Sequence, residues 1–319
     1  MAHRLFLAGA CGLALLATAC HPKPGSADPS AVNDSPSAFP QWAFPGPKLE
    51  SVPGSAAKFS EVQMFDRTTA VDWFPASHPA MPDVVKGRQP VYACGFCHLP
   101  QGAGRDENAA LAGLPYKYLL QQIADFKSGA RKTPDPKFGA AVNMQATIKQ
   151  VSDADAQAAA KYYSGLTYTK HLKLVESDEA PHFSANAFVY EFDETAPRVP
   201  LGQRIIEGPD DFKRFEMRDP NMTYTAYVPV GSIALGTARA KGDGAAKPAC
   251  ELCHGPGLKG SDIAPPIAGR LPTGLFRQLY AFQTGARNGP NAVLMKPIVA
   301  ALSRQEMINL SAYIASLDP

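Results

Sequence analysis

Apolar residues recur at helical spacing in four segments of the chain. In the first, residues 116–129, positions three and four apart fall on one face of a helix that should end at Gly129. The same signals predict three further helices, over residues 274–285, 152–165 and 303–317. Two shorter helices are predicted over residues 82–92 and 231–241. The chain is therefore mainly α-helical.

Between residues 169 and 230, which we call the connector, the pattern changes. Short runs with alternating or β-branched residues predict strands there, over residues 171–175, 186–192 and 202–208. The connector carries 11 acidic and 7 basic residues, whereas residues 231–319 carry 9 basic and 5 acidic ones. We expect a structured surface insertion. The connector is mildly negative and residues 231–319 are mildly positive. This difference suits either docking of a partner or packing of the two segments against each other.

The first 60 residues follow another pattern. Residues 1–19 combine a short basic start with an apolar run too short to span a bilayer, as in an export signal peptide. Cleavage after Ala19 would leave Cys20 first, which resembles the lipid-modified cysteine of bacterial lipoproteins, with plain secretion as the alternative. Residues 20–60 are rich in proline and predict an extended tail. If Cys20 is lipidated, that tail tethers the body to a membrane.

The two halves of the chain match each other. A shift of 156 positions superimposes Cys94, Cys97 and His98 on Cys250, Cys253 and His254. The same shift matches two further segments, 112–113 with 268–269 and 129–131 with 285–287. After a five-residue deletion, Met144 matches Met295. Two copies of one unit of about 75 residues explain these matches.

The repeated cysteine motif reads CGFCH at residues 94–98 and CELCH at residues 250–254. On a helical turn, positions i, i+3 and i+4 share a face, so two thiols and one imidazole project together. Two thiols can form thioether bonds with the vinyl groups of one haem while the imidazole binds its iron. This spacing is typical of c-type haem attachment and predicts two covalently bound haem c groups.

Other uses of paired cysteines fit less well. A zinc ribbon places its two pairs some 15–20 residues apart, whereas residues 98–249 separate these two pairs. A thioredoxin-like redox pair does not require a histidine after the second cysteine. Only 7 of the 319 residues are histidine, so chance does not explain a histidine at that position in both motifs. A disulfide in an exported protein is the remaining alternative.

The iron's sixth position needs a second ligand. Met144 and Met295 occupy matching places, each expected on a loop eight residues before a serine that caps a helix. A methionine is usually core filler, but two at equivalent positions favour axial ligation. Thioether sulfur favours reduced iron and raises the haem potential. With both axial positions filled, the iron suits outer-sphere electron transfer and has no position for a substrate.

On these residues the chain resembles the dihaem class I c-type cytochromes, and is similar to the bacterial cytochrome c-four group. The resemblance covers residues 82–168 and 231–318 and implies a periplasmic electron carrier that exchanges electrons with a redox protein donor and acceptor. It implies two cytochrome c domains, residues 61–168 and 231–319, joined by the connector. In the family, a proline carbonyl accepts the proton of the iron-binding imidazole. Pro265 matches that proline, but the first unit has Ala109 there.

Composition narrows the function classes. The charge is nearly balanced, with 31 basic and 29 acidic side chains, which argues against a nucleic-acid-binding protein. Arg131 and Arg287 recur after the second helix of each unit. They are expected either to pair with haem propionates or a partner, or to be solvated at the helix end.

Three rival functions remain. A dihaem peroxidase needs an exchangeable ligand at one iron, for which the spare imidazoles are His78, His171 and His182. A sulfur-oxidising cytochrome needs a free thiolate near the iron, and after export the only cysteine outside the two haem motifs is Cys20, which lies in the tail. A haem-bearing subunit of a dehydrogenase or oxidase complex would use the same chemistry as a free carrier. The symmetric methionines favour an electron carrier over an enzyme.

Overall fold

The computed structural model describes residues 47–186, 188–242 and 248–319. Residues Pro47–Pro319 form one compact unit. The predicted signal peptide, Cys20 and most of the Pro-rich tail lie outside the described residues. Within the described part of the chain, no helix is both long enough and apolar enough to cross a membrane.

Apart from α7, which lies in the connector, the α-helices fall into two similar series, one on each side of it. In chain order they are α1 (Glu61–Phe65), α2 (Asp83–Lys86), α3 (Cys94–His98), α4 (Tyr116–Ser128), α5 (Gly139–Ile148), α6 (Asp153–Ser164), α7 (Phe212–Glu216), α8 (Ser232–Lys241), α9 (Glu251–His254), α10 (Pro272–Gln283), α11 (Ala292–Ala300) and α12 (Arg304–Ser316).

The local sequence explains where the long helices begin and end. Helix α4 ends because Gly129 adopts φ +76°, a left-handed conformation that glycine tolerates. Helix α6 begins at Ser152, whose hydroxyl accepts the amide of Asp155, and α12 begins at Ser303 with a full capping box. The predicted helix over residues 82–92 is confined to α2, because Gly87 turns the chain with φ +133°.

The strands are short and lie mainly in the connector. They are β1 (Leu49–Glu50), β2 (Phe59–Ser60), β3 (Leu172–Glu176), β4 (Glu179–Ala180), β5 (His182–Asn186), β6 (Val189–Asp193), β7 (Val199–Pro200), β8 (Ile206–Pro209) and β9 (Tyr224–Val228). The order β3–β9–β8 makes a three-stranded sheet in which β3 and β9 are parallel and β8 is antiparallel to β9. The sequence pattern predicts β3, β6 and β8 of the connector but not β4, β5, β7, β9 or helix α7.

Each series of helices surrounds its own apolar cluster. In the first, Leu119, Ile148 and Tyr163 are buried together between α4, α5 and α6. In the second, Leu258, Val299, Met307 and Leu310 take that role, between α8 and α10–α12. Helices α8 and α12 cross so closely that a Cβ on Gly236 would lie 2.0 Å from the carbonyl oxygen of Asn309. Only glycine fits at that crossing.

The N-terminal part of the body packs on the connector. Val52, Met64, Val71 and Trp73 form a buried cluster with Met217, which follows α7. Val52 is only 3% exposed. The predicted end of the Pro-rich tail at residue 60 therefore lies inside the packed body, since burial of apolar side chains holds residues 47–60 against it.

Candidate haem-attachment sites

The first cysteine motif forms helix α3. Its single turn places Cys94, Cys97 and His98 along one side of the helix. Burial, followed by the neighbouring Cys97, raises the pKa of the Cys94 thiol to about 12, and burial also raises the pKa of Cys97. Both sulfurs are therefore neutral thiols in an apolar environment, suited to covalent attachment of an apolar ring rather than to thiolate chemistry.

The imidazole of His98 is held by one backbone hydrogen bond. Its Nδ1 lies 2.7 Å from the carbonyl oxygen of Ala109. Because a carbonyl only accepts, Nδ1 carries the proton and Nε2 keeps its lone pair for a metal. Burial lowers the pKa of His98, which also favours the neutral form that binds iron.

The second motif repeats this arrangement. Cys250 directly precedes helix α9 with helical backbone angles, φ −62° and ψ −34°, so it joins the same turn as Cys253 and His254. Nδ1 of His254 lies 2.9 Å from the carbonyl oxygen of Pro265, and burial lowers the pKa of this imidazole too. Ala109 therefore places its carbonyl as the proline does, since the acceptor is a backbone group.

The expectation that Met144 and Met295 lie on loops is wrong. Met144 lies in α5 and Met295 in α11. The stretch around Met144 is rich in alanine and other good helix formers, and this local preference outweighs the loop expected before the capping serine. Both side chains are partly buried. Met144 packs against the same apolar cluster as Cys94, and Met295 against the same cluster as Cys250. Their role as iron ligands stays a prediction.

Arg131 and Arg287 are not solvated. Arg287 is buried, Arg131 is half-buried, and their backbones pair as an isolated antiparallel bridge. Arg131 donates to Oε1 of Gln122 (2.9 Å) and of Gln278 (3.0 Å). Arg287 donates to the same two oxygens, at 3.1 Å for Gln278 and 2.8 Å for Gln122. Gln122 and Gln278 also match at the shift of 156 positions, but no local signal in the sequence indicates that they meet.

These four residues, which we call the arginine–glutamine cluster, concentrate positive charge. Burial, followed by the second guanidinium, lowers the pKa of Arg131 to about 9. Glutamine is neutral, so the hydrogen bonds satisfy the donors without balancing the charge. The cluster therefore has the chemistry of an anion-binding site.

The spare histidines occupy structural positions. The ring of His78 is held at Nε2 by Asp72 (3.1 Å) and at Nδ1 by the carbonyl oxygen of Pro79 (2.9 Å). His171 packs edge-on against Tyr168 and donates from Nδ1 to the carbonyl oxygen of Thr169, while His182 is exposed on β5. These contacts hold the first two rings in the body and leave the third in solvent.

The alternatives to haem gain no support. The four cysteines in the described part of the chain are all free thiols. Among residues 47–186, 188–242 and 248–319, no group of three His, Cys, Asp or Glu side chains comes together to hold a metal ion. In contrast, each motif supplies what haem c requires: two thiols on one turn and an imidazole whose Nε2 is free to bind iron.

Comparisons with known proteins agree with this chemistry. No model of a protein family matches the chain. Cytochrome c-554(547) of Halothiobacillus neapolitanus is 38% identical over 76 residues, which are 21% of this chain and 84% of that protein. Cytochrome c4 of Azotobacter vinelandii is 25% identical over 240 residues, 74% of this chain and 89% of the relative. A "thiosulfate dehydrogenase electron acceptor" of Thiomonas intermedia (strain K12) is 27% identical over 230 residues, 70% of this chain and 78% of the relative.

The chain therefore belongs to the c-type cytochromes. Within them it is a relative of the dihaem cytochromes c4, and its cofactors are two covalently bound haem c groups. Electron transfer is the function that this cofactor pair supports.

Proposed function

We propose that this protein is an exported dihaem cytochrome that carries single electrons between a redox protein donor and acceptor at the cell envelope. One observation carries the proposal: both cysteine turns hold an imidazole by a backbone carbonyl on Nδ1, and so leave Nε2 available to iron. When bound, each haem supplies reversible one-electron exchange at its iron.

The chain's own residues have distinct tasks in this proposal. Cys94 and Cys97 anchor the first haem, and Cys250 and Cys253 the second. His98 and His254 are the proximal ligands, oriented by the carbonyls of Ala109 and Pro265. With a haem bound, these hydrogen bonds would hold each imidazole in one orientation and so limit the reorganisation that electron transfer requires.

Met144 and Met295 are the proposed distal ligands. Met144 packs against the same apolar cluster as Cys94, and Met295 packs against the same cluster as Cys250. Each proposed distal ligand therefore lies beside a cluster that also contacts a haem-attaching cysteine of its own half. A thioether ligand raises the haem potential, and an apolar surrounding does so too because it disfavours the more highly charged oxidised iron.

The arginine–glutamine cluster would hold haem propionates. Among the described residues, no salt bridge within 4 Å joins either guanidinium to an acid, and Asp125 acts on Arg131 by its charge without such a bridge. The pair therefore suits the carboxylates that the two haems bring. Arg131 also lowers the pKa of His98 by its charge, after the effect of burial, which places this guanidinium electrostatically near the first attachment site.

A measurement of cofactor content tests the proposed function. Protein produced in cells that mature c-type cytochromes should have the mass of the mature chain plus two haems, and its visible spectrum should show the weak methionine-to-iron band. Cys250→Ser with Cys253→Ser should leave one covalent haem. A colourless product, or a mass without haem, would overturn the proposal.

The place in the cell is part of the proposal. Residues 1–19 would direct export, and a lipid on Cys20 would anchor the protein in a membrane. Replacing Cys20 by Ser should then move the mature protein from the membrane fraction to the soluble periplasmic fraction. Equal distribution of the two forms would exclude the lipid anchor and leave plain export.

A second candidate is a haem-bearing electron-transfer subunit of a dehydrogenase or oxidase complex. The relative from Thiomonas intermedia, named as an electron acceptor of thiosulfate dehydrogenase, favours it. Size-exclusion chromatography of gently solubilised native envelopes separates the two: a subunit co-elutes with the dehydrogenase activity, whereas a free carrier elutes alone. Sustained turnover of peroxide by the pure protein would instead favour the peroxidase.

A further inference from the structure

The two cysteine turns have the same local structure but very different surroundings. Phe96 and Leu252 occupy equivalent positions, directly before the second cysteine of each motif. Phe96 is 5% exposed, whereas Leu252 is 71% exposed. The residues one position earlier show the same difference in exposure: Gly95 is buried and Glu251 is exposed. One attachment turn is thus covered by protein and the other faces solvent.

The first layer over the covered turn comes from two distant parts of the chain. The guanidinium of Arg218 lies over the ring of Phe96, 3.5 Å from its centroid. Arg218 is in turn held by a hydrogen bond of 3.0 Å from its Nε to the carbonyl oxygen of Met64. On the other side, a Cβ on Gly95 would lie 2.8 Å from the Cβ of Ala70. No larger residue fits there.

A second set of contacts fixes these segments in place. Nε1 of Trp73 donates to the carbonyl oxygen of Met217 at 2.7 Å, in a buried environment. Arg105 donates to the carbonyl oxygen of Phe215 at 3.1 Å and lies 3.8 Å from the centroid of that ring. We call residues 64–73 together with residues 212–218 the cover. Its buried hydrogen bonds make it a fixed part of the body.

At the second turn, the neighbouring groups leave the cysteine accessible. Cys253 is exposed. The hydroxyl of Ser261 donates to its carbonyl oxygen and accepts the amide of Ile263, which brings Ile263 beside the turn. Ile263 is itself 63% exposed. Within residues 47–186, 188–242 and 248–319, neither the connector nor the N-terminal segment lays a corresponding layer over Leu252, which is 71% exposed.

We propose that the cover closes the first haem to other molecules, so that electrons enter and leave the protein through the second haem. The inference depends on the proposed function, because it takes both motifs to carry haem. A thioether bond joins each cysteine sulfur to the edge of the porphyrin, so whatever covers the turn also covers that edge. Electron transfer slows steeply with distance, and an added layer of protein therefore selects the exposed haem.

The test places charges beside each turn and measures electron exchange with a charged small molecule. Leu252→Glu and Leu252→Lys alter the exposed turn. Phe65→Glu and Phe65→Lys alter the outer surface of the cover, where Phe65 is 50% exposed. The probe is hexaammineruthenium(II), a cationic reductant, mixed with the oxidised dihaem protein at low ionic strength, where exposed charges are least screened.

We expect Leu252→Glu to speed reduction by about threefold and Leu252→Lys to slow it by a similar factor, because a unit charge within a few ångströms changes the local concentration of the probe. The Phe65 pair should change the rate by less than about 1.5-fold. Opposite signs for Glu and Lys separate the charge effect from damage to the fold. Midpoint potentials measured for each variant separate access from driving force.

Equal responses at residues 65 and 252, or a larger response at residue 65, would overturn the inference. Loss of the sign reversal at residue 252 would do the same. Haem content distinguishes this failure from failure of the proposed function. A protein with two haems but no selectivity refutes the role of the cover only, whereas a protein without haem refutes the function itself.

Discussion

Arg131 and Arg287 pair with each other as an antiparallel bridge, and each guanidinium donates to the glutamine of the opposite half of the chain. Two more backbone bonds flank the bridge, from Lys132 to the carbonyl of Ala286 and from Asn288 to that of Ala130, both 2.7 Å. Arg131 and Arg287 occupy equivalent positions in the repeat. The contact therefore pairs a segment of the first half with the equivalent segment of the second half. The two guanidiniums meet at this contact, where the haem propionates proposed above would balance their charge.

We predict that Arg131→Gln lowers the midpoint potential of the first haem by on the order of 50 mV. A nearby cation stabilises the reduced, less positive iron, and its removal favours the oxidised state. The effect should be smaller at the second haem, since Arg131 acts on His98. A redox titration followed by visible absorption measures both values. The exposed Arg198 of the connector provides the control, and Arg198→Gln should leave both potentials in place.

We predict that Met295→His lowers the potential of one haem, by on the order of 100 mV or more, and leaves the other nearly unchanged. Met144→His should act on the other haem. An imidazole ligand favours oxidised iron more than a thioether does. Each variant should also lose half of the methionine-to-iron band. Met307, buried in the second apolar cluster, is the matched control: Met307→Leu should keep both potentials. Unchanged potentials in both His variants would show that the distal ligands lie elsewhere.

We predict that Pro265→Ala keeps the haem, the ligand set and the potential of the second site. The acceptor for Nδ1 of His254 is a backbone carbonyl, and Ala109 supplies the same acceptor at 2.7 Å in the first half. The variant should lose about 0.4–1 kcal/mol of stability, because alanine gives the unfolded chain more freedom than proline. Denaturant unfolding and a redox titration measure the two effects. A large change of potential would mean that the proline ring itself orients the imidazole.

We predict that Asp106→Asn makes the free energy of unfolding less dependent on pH, because it removes a carboxyl whose ionisation destabilises the folded state as the pH rises. Burial, followed by the charge of Glu207, raises the pKa of Asp106 well above its usual value. The folded state therefore binds a proton more tightly than the unfolded state does. The resulting stabilisation is complete below pH 3.8 and is lost as the pH rises through the higher pKa of the folded state, with a slope of up to about 1.4 kcal/mol per pH unit.

Urea unfolding at a series of pH values from 5 to 8, all above the ordinary pKa of this carboxyl, measures the effect. The Asn variant should show a flatter profile than the original chain. Asp153, exposed at the start of α6, is the control because its carboxylate is not buried, and Asp153→Asn should keep the original slope. The groups near Asp106 include Glu107, Glu207, Thr273 and Arg277, none of which the substitution alters. Parallel profiles for the Asn variant and the original chain would contradict the assignment.

We predict that Trp73→Phe destabilises the protein by about 1–3 kcal/mol. The change leaves the buried carbonyl of Met217 without its donor and removes part of the packing under the cover. Thermal unfolding of the oxidised protein measures the loss. Tyr280→Phe, at a side chain that is 40% exposed, should cost little. A stability equal to the original would show that the link between residues 64–73 and Met217 contributes nothing to the fold.

Local signals in the sequence determined the attachment chemistry and most helices. A Cys-x-x-Cys-His run needs only one helical turn to bring its thiols and imidazole together, and serine caps and terminal glycines act within three or four residues. The helices α4, α6, α10 and α12 followed from such signals. Matching positions in the repeat made Met144 and Met295 candidate ligands. Their place in helices was not predicted, because the helix preference of the alanine-rich stretch around Met144 outweighs the expected loop.

The tertiary structure decided everything that depends on distant residues. Nothing near residue 96 in the sequence indicates that Arg218 covers Phe96, while the equivalent Leu252 stays exposed. Nor does either half alone show that Arg131 and Arg287 meet. A repeated motif specifies the same local geometry twice, but its surroundings come from segments that occur once, the N-terminal part of the body and the connector. The two attachment turns therefore share one local geometry but differ in exposure to solvent, because only the first is covered by distant segments of the chain.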